Sequence, residues 1–298
     1  MTSSPAAPFG HVLTAMATAF HDDGSLDLDG TARVARHLVE HGHDGVVVSG
    51  TTGESPTTTP DEDGEILAAV REAVGADVTV VAGVGTNDTR TSLVLAQQAR
   101  KHGADGVLLV TPYYSKPAQR GILEHFRQVT DAAELPVMLY DIPGRTGSQI
   151  SMESYREMAG WESVVAIKDA VGDFARGVRL QQLGFAIYSG DDAANLGWLA
   201  HGAAGFVSVC GHAMGDQLRA LHDTYRADPA GALEIFSRML PAIDAMMGVP
   251  NYGATTAKAA LELLGVLDNR FVRSPLAPLD DDEVAALRAG LVAAGLLT

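Results

Sequence analysis

The sequence contains one cysteine, Cys210, in 298 residues. A lone thiol excludes an internal disulfide framework and fits a reducing compartment, so a cytoplasmic protein is expected. Positive charge is also scarce: 21 Lys+Arg against 37 Asp+Glu leave a net charge of −16. That balance argues against nucleic acid or an anionic membrane as a partner, since both are bound through clustered lysines and arginines. It does not exclude an anionic small molecule, because a local group of donors can outweigh the mean field. No apolar run reaches the roughly 18 residues of a membrane span. Residues 1–10, MTSSPAAPFG, lack both the basic n-region and the apolar h-region of a signal peptide.

Material for a core is ample, with 46% hydrophobic and 19% charged residues. Short apolar runs lie at 12–20, 45–49, 78–83, 106–111, 136–140, 164–168, 186–189 and 205–209. Segments with helical periodicity, such as 28–40, 61–74, 89–102 and 120–133, fall between them. Eight βα units in succession predict an α/β fold of the (β/α)8 TIM-barrel type. An open doubly wound sheet is the rival, but it normally has fewer strands. His41-Gly-His-Asp-Gly45, His102-Gly-Ala-Asp-Gly106 and His201-Gly-Ala-Ala-Gly205 echo one another before the second, fourth and eighth strands. A histidine in the last helical turn followed by a left-handed glycine is a helix cap. This reading also removes His37, His41 and His43 as a zinc cluster, for which three or four convergent ligands are needed. Helical patterning continues at 218–225, 231–247, 254–264 and 281–296. The expected organisation is a barrel over 1–225 and a C-terminal helical segment over 226–298, packed on the barrel and serving assembly.

In a parallel barrel the active site lies at the C-terminal ends of the strands. The sixth run ends in Lys168, and a buried ammonium must pair or lose its charge. Desolvation lowers a lysine pKa, and a neutral amine attacks a ketone to form a Schiff base. A structural lysine in an ion pair is the plainer alternative. Gly50-Thr-Thr-Gly53 follows the second run, and its N–H groups and hydroxyls suit a small carboxylate; an ordinary strand-to-helix turn would look similar. Tyr140 ends the fifth run one strand from Lys168 and could relay protons, or could be a half-buried phenol. Tyr113 and Tyr114 could equally pack at the rim. Gly83-Val-Gly85 fails as a dinucleotide motif, because Asp88 stands where a third glycine is required. Cys210 carries no flanking nucleophile signature and reads as a small hydrophobe. Hydroxyls, one lysine and one arginine on the rim, without metal-site spacing, favour amine catalysis.

GTTGES (50–55), VTPYY (110–114), YDIPGRTG (140–147), IKDA (167–170) and SGDD (189–192) together closely resemble the dihydrodipicolinate synthase family. That family belongs to the Schiff-base aldolase superfamily with N-acetylneuraminate lyase, and the likeness runs from about Leu13 to the C-terminus. The resemblance implies condensation of pyruvate with L-aspartate 4-semialdehyde in lysine and diaminopimelate biosynthesis. It implies that Lys168 forms the Schiff base, Tyr140 shuttles protons, and Thr51 links Tyr140 to Tyr114 of a neighbouring subunit. Thr51 and Thr52 would hold the pyruvate carboxylate, Arg145 would face the carboxylate of the semialdehyde, and a carbonyl near Val207 would border the pocket. No metal or organic cofactor and a homotetramer of paired dimers are implied too. Two departures stand out. Pro60, Asp63 and Thr91 occupy positions where lysine-inhibited members carry histidines and a glutamate, although Ser55, Asn87 and Tyr113 remain. The eighth run also reads Ser208-Val-Cys-Gly211, where small polar residues are usual. A related pyruvate-dependent aldolase acting on a sugar acid is the enzymatic alternative, against which Arg145 and the tyrosine pair count. A non-catalytic relative is the other, against which intact Lys168, Tyr140 and Thr51 count.

Overall fold

The computed structural model describes residues 7–250 and 252–298, so most of the stretch inspected for a signal peptide lies outside the described residues. Among the described residues eight strands pair in chain order: β1 (Val12–Ala15), β2 (Gly45–Val48), β3 (Thr79–Gly83), β4 (Gly106–Val110), β5 (Val137–Asp141), β6 (Val164–Asp169), β7 (Ala186–Ser189) and β8 (Gly205–Ser208). All pairs are parallel, and β8 returns to β1 with Phe206 opposite Val12 and Val207 opposite Leu13. Closure leaves no unpaired edge. The (β/α)8 barrel expected from the alternation of runs and helices is the fold.

The helices are α1 (Leu28–Glu40), α2 (Pro60–Val74), α3 (Thr89–Lys101), α4 (Gln119–Ala133), α5 (Pro143–Thr146), α6 (Met152–Met158), α7 (Phe174–Gln182), α8 (Asn195–Ala200), α9 (Gly211–Tyr225), α10 (Pro229–Met247), α11 (Ala254–Leu263) and α12 (Asp281–Ala293). Of these, α5 is an extra turn in the loop after β5, and α10 to α12 follow the eighth unit. The run at 12–20 supplies a strand only to Ala15; beyond it the chain stays buried but leaves the sheet, and Ala17 N donates to the His212 ring at 3.0 Å. An apolar run marks burial, not strand pairing. Conversely α9 starts at Gly211, seven residues before the periodicity becomes visible, because Gly211 and Gly215 have no side chain to mark a face.

Alternation along each strand separates two cores. Leu13, Val47, Val81, Leu108, Met138 and Ala166 fill the barrel interior. Val46, Val80, Leu109, Leu139, Ile167 and Ile187 pack outward under the helices. Burial on both faces is why the strands read as unbroken apolar runs. A third cluster joins Phe206 and Met214 to Met239, Ile243, Leu287 and Leu291, so the C-terminal helices share a core with the barrel wall.

The histidine echo is a cap. Gly42, Gly103 and Gly202 have φ of 83°, 76° and 79°, a left-handed conformation in which glycine carries no penalty. The His41 ring bonds His37 O at 2.8 Å and the His201 ring bonds Gly197 O at 2.7 Å. The His43 ring lies between Leu38 O and Thr14 Oγ1, each at 2.7 Å, and His37 bonds His212 O at 2.9 Å. These imidazoles are spent on helix ends and on the junction with β1.

Candidate active site

Lys168 is the fifth residue of β6 and pairs in register with Tyr140 of β5. Both side chains face the barrel interior, and Lys168 is only 4% exposed. Its ammonium lies 4.4 Å from the centroid of the Tyr140 ring. Burial pushes the Lys168 pKa down to about 7, helped by the Arg145 charge and opposed by Asp192. At neutral pH a far larger share of the amine is therefore free than the fewer than roughly one in a thousand of an ordinary lysine. Room for the lysine stem depends on Gly190, since a Cβ there would lie 3.0 Å from Lys168 Cγ and from Asp169 O. Burial also pushes the Tyr140 phenol up, so it stays protonated and able to donate.

A cavity of about 470 Å³ lies above this pair. It gathers Thr51, Thr52, Tyr140, Arg145 and Lys168 into one space. Thr51 is exposed to the cavity and Thr52 is 5% exposed. The loop that carries them is bracketed by two non-glycine residues with left-handed backbone, Ser49 (φ 52°) and Glu54 (φ 60°). Such conformations cost about 1–3 kcal/mol each and persist only where surrounding groups over-determine them. Glu54 shows the restraint: its buried carboxylate accepts from the Lys258 ammonium and, at 2.8 Å, from Arg273 N. Lys258 is a second buried lysine, with its pKa pushed down to about 8 by desolvation. Unlike Lys168 it is held by a carboxylate and by Phe271 O at 2.8 Å, which fits the structural role.

Arg145 is presented by α5, a single turn with Pro143 at its start and Gly147 (φ 72°) at its end. The guanidinium lies 4.8 Å from the Tyr252 ring centroid, a cation–π contact that orients it over the cavity. Asp192, 2% exposed, accepts from Val209 N at 2.8 Å, Cys210 N at 2.9 Å and the Ser208 hydroxyl. It thereby ties the loop after β7 to the end of β8. Cys210 is fully buried and its thiol is pushed up by desolvation, as a small hydrophobe would be.

Tyr114 does not line this cavity. It is 89% exposed and borders an adjoining space of about 410 Å³ that also reaches Thr51, Tyr140 and Arg145. Val207 lies in the interior core under the site, and Val209, two residues on and just past β8, lines the cavity instead. Sequence reasoning missed the contribution of the C-terminal segment: Ile243, Asp244 and Met247 of α10, with Tyr252 from the connection to α11, form one wall of the mouth. No local signal marks them, because they reach the site only through the packing of α10 on the barrel.

A parallel barrel with a desolvated lysine facing a cavity at a strand end and a hydroxyl-bearing turn beside it defines a class, the amine-dependent aldolases. Within that class the profile of the dihydrodipicolinate synthetase family matches residues 8–294. The 4-hydroxy-tetrahydrodipicolinate synthase of Acidothermus cellulolyticus is 54% identical over 296 residues, covering 99% of this chain and 95% of that one. A Streptomyces coelicolor relative, 4-hydroxy-tetrahydrodipicolinate synthase 2, is 50% identical over 99% of this chain and 98% of its own. The lysine-bound enzyme of Cyanidioschyzon merolae superposes with a TM-score of 0.92 at 37% identity, covering 98% and 100% of the two chains. Dihydrodipicolinate synthase DapA-2 of Bacillus anthracis superposes at 0.91 with 36% identity, covering 95% and 98%. The chain belongs to the dihydrodipicolinate synthetase family.

Proposed function

We propose that Lys168 carries pyruvate as a Schiff base and that the enzyme adds it to L-aspartate 4-semialdehyde, on the route to diaminopimelate and lysine. The enzyme is a lyase. The observation that carries the residue roles is the placing of a desolvated lysine, a protonated phenol, two threonines and one arginine around a single cavity. The neutral amine attacks the pyruvate ketone, and loss of water gives the imine. Thr51 and Thr52 receive the carboxylate through hydroxyls and backbone N–H groups. Loss of a methyl proton gives the enamine, whose carbon attacks the aldehyde, with Tyr140 protonating the new alkoxide. The semialdehyde's own amine then displaces Lys168 from the imine carbon and closes the ring. Two substrates become one product and one water, so the atoms balance with no added reagent.

Arg145 supports an acidic aldehyde over a neutral sugar chain: its planar fork can take a carboxylate with two parallel bonds. The enzyme works in the cytoplasm as a homotetramer, with Tyr114 entering the relay through Thr51 from a neighbouring copy. Exposure of a large phenol on a left-handed backbone (φ 70°) supports that arrangement. The barrel over 1–225 carries the reacting groups, and the segment over 226–298 forms one wall of the mouth.

Borohydride added with pyruvate is expected to leave a reduced adduct on the peptide containing Lys168, at a rate rising with pH through about 7 as the amine loses its proton. An adduct on Lys258 or Lys116 would sink the mechanism.

A further inference from the structure

Tyr140 and Lys168 face inward, so the next residue on each strand faces outward. These are Asp141 and Asp169, which pair in register and are both fully buried under α7. Two carboxylates side by side in an apolar layer would repel strongly without a counter-charge. Arg176, in the first turn of α7 and 5% exposed, enters between them. Its Nη1 donates to Asp169 Oδ2 at 2.8 Å, and its Nη2 donates to Asp141 and to Ile150 O at 3.3 Å. The remaining carboxylate oxygens are also satisfied. Asp169 Oδ1 accepts from Val171 N at 2.9 Å and Gly172 N at 3.1 Å, and Asp141 Oδ1 accepts from Ile150 N at 3.4 Å, while Asp141 Oδ2 also accepts from Tyr155 OH at 3.1 Å.

A buried network of this kind is weak as a stabilising device, because well-packed apolar residues of similar volume often do as well or better. Its particular contribution is geometry. The guanidinium is a rigid plane, and here each arm grips the residue next to a reacting side chain on a different strand. We infer that Arg176 is a positioning residue whose fork locks β5 against β6 and so holds the Tyr140 ring over the Lys168 amine. Through Ile150 O the same group anchors the chain that returns from the Arg145 turn. This rests on the roles proposed above for Lys168 and Tyr140.

The test uses borohydride trapping of pyruvate on the full-length enzyme, read in two ways. The final amount of adduct counts competent sites, and the rate per site at saturating pyruvate reports their geometry. Arg176→Lys keeps the charge but loses the rigid planar fork that holds the two carboxylates at a fixed spacing. It is expected to reach the wild-type endpoint while the rate per site and kcat fall together by roughly tenfold to a hundredfold, the loss set by a misplacement of about an ångström. The KM for pyruvate should move by less than about threefold, because the Thr51–Thr52 turn is untouched. A loss confined to the endpoint, with a wild-type rate per site, means a merely structural role and overturns the proposal. If Arg176→Lys does not fold, a triple variant, Arg176→Met with Asp141→Asn and Asp169→Asn, removes every charge of the network at once. It should fold and trap slowly, and a wild-type rate in it overturns the proposal. Wild-type enzyme that traps pyruvate elsewhere than Lys168 instead removes the roles on which the clamp rests.

Discussion

At the scale of single residues, two lysines are buried and only one has the setting of a nucleophile. Lys258 donates to Glu54 and Phe271 O, whereas Lys168 faces the Tyr140 ring and an open cavity. Burial lowers both pKa values, to about 8 and about 7, so burial alone does not separate them; the partner does. With a net charge of −16, an anionic second substrate needs a local donor at the mouth, and Arg145 is the residue proposed for it. Arg145→Ala should lower kcat/KM for the semialdehyde roughly a hundredfold, on about 2–3 kcal/mol for a charged hydrogen-bonded contact. Trapping of pyruvate at Lys168 should largely survive. Steady-state kinetics with the aldehyde varied decide the matter, and unchanged values would return the sugar-acid reading to consideration.

At the scale of elements, the departures at 60, 63 and 91 become intelligible as helix starts. Pro60 is the first residue of α2, where its missing N–H costs nothing. Asp63, in the same first turn, accepts from Thr58 Oγ1 at 2.8 Å, and burial pushes its carboxyl up to about 6. Thr91 spends its hydroxyl on Asp88, the N-cap of α3, at 2.8 Å. These side chains serve their own helices and leave little for the ammonium of an effector. Inhibition by L-lysine should be weak or absent, since losing a charged contact of about 1.5–3 kcal/mol weakens binding by roughly tenfold or more. Half-inhibition below a millimolar in an initial-rate titration would show that an effector is held by other residues. The elements themselves were readable because both faces of each strand are apolar and each helix repeats every 3.6 residues. The first run misled, since burial at 16–20 comes from the rim and not from the sheet.

At the scale of the molecule, the relay proposed through Tyr114 would require a second copy. In one chain that side chain is 89% exposed and stands outside the cavity that holds Lys168. Sedimentation velocity should find a tetramer. A sharper measurement mixes Tyr114→Phe and Lys168→Ala subunits after reversible dissociation. If the phenol acts in trans, a mixed pair contains one site with native Lys168 and native Tyr114, and activity rises above that of either parent. Activity no higher than the parents' would place Tyr114 outside the relay.

Period and composition alone determined the barrel, because eight apolar runs separated by amphipathic helices have few other ways to bury their surface. The sequence also determined which residues stand at or just beyond the strand ends, Lys168, Tyr140, the Thr51–Thr52 turn and Arg145 among them. Alternation fixes the side-chain direction only of Lys168 and Tyr140, which lie within strands. Only the tertiary structure decided the rest. It brought Tyr252 to Arg145, Lys258 to Glu54 and Arg176 between Asp141 and Asp169, pairs as far apart as 204 positions in the chain. No local pattern encodes such contacts, because they depend on how a helix packs across the barrel and not on the period of either partner.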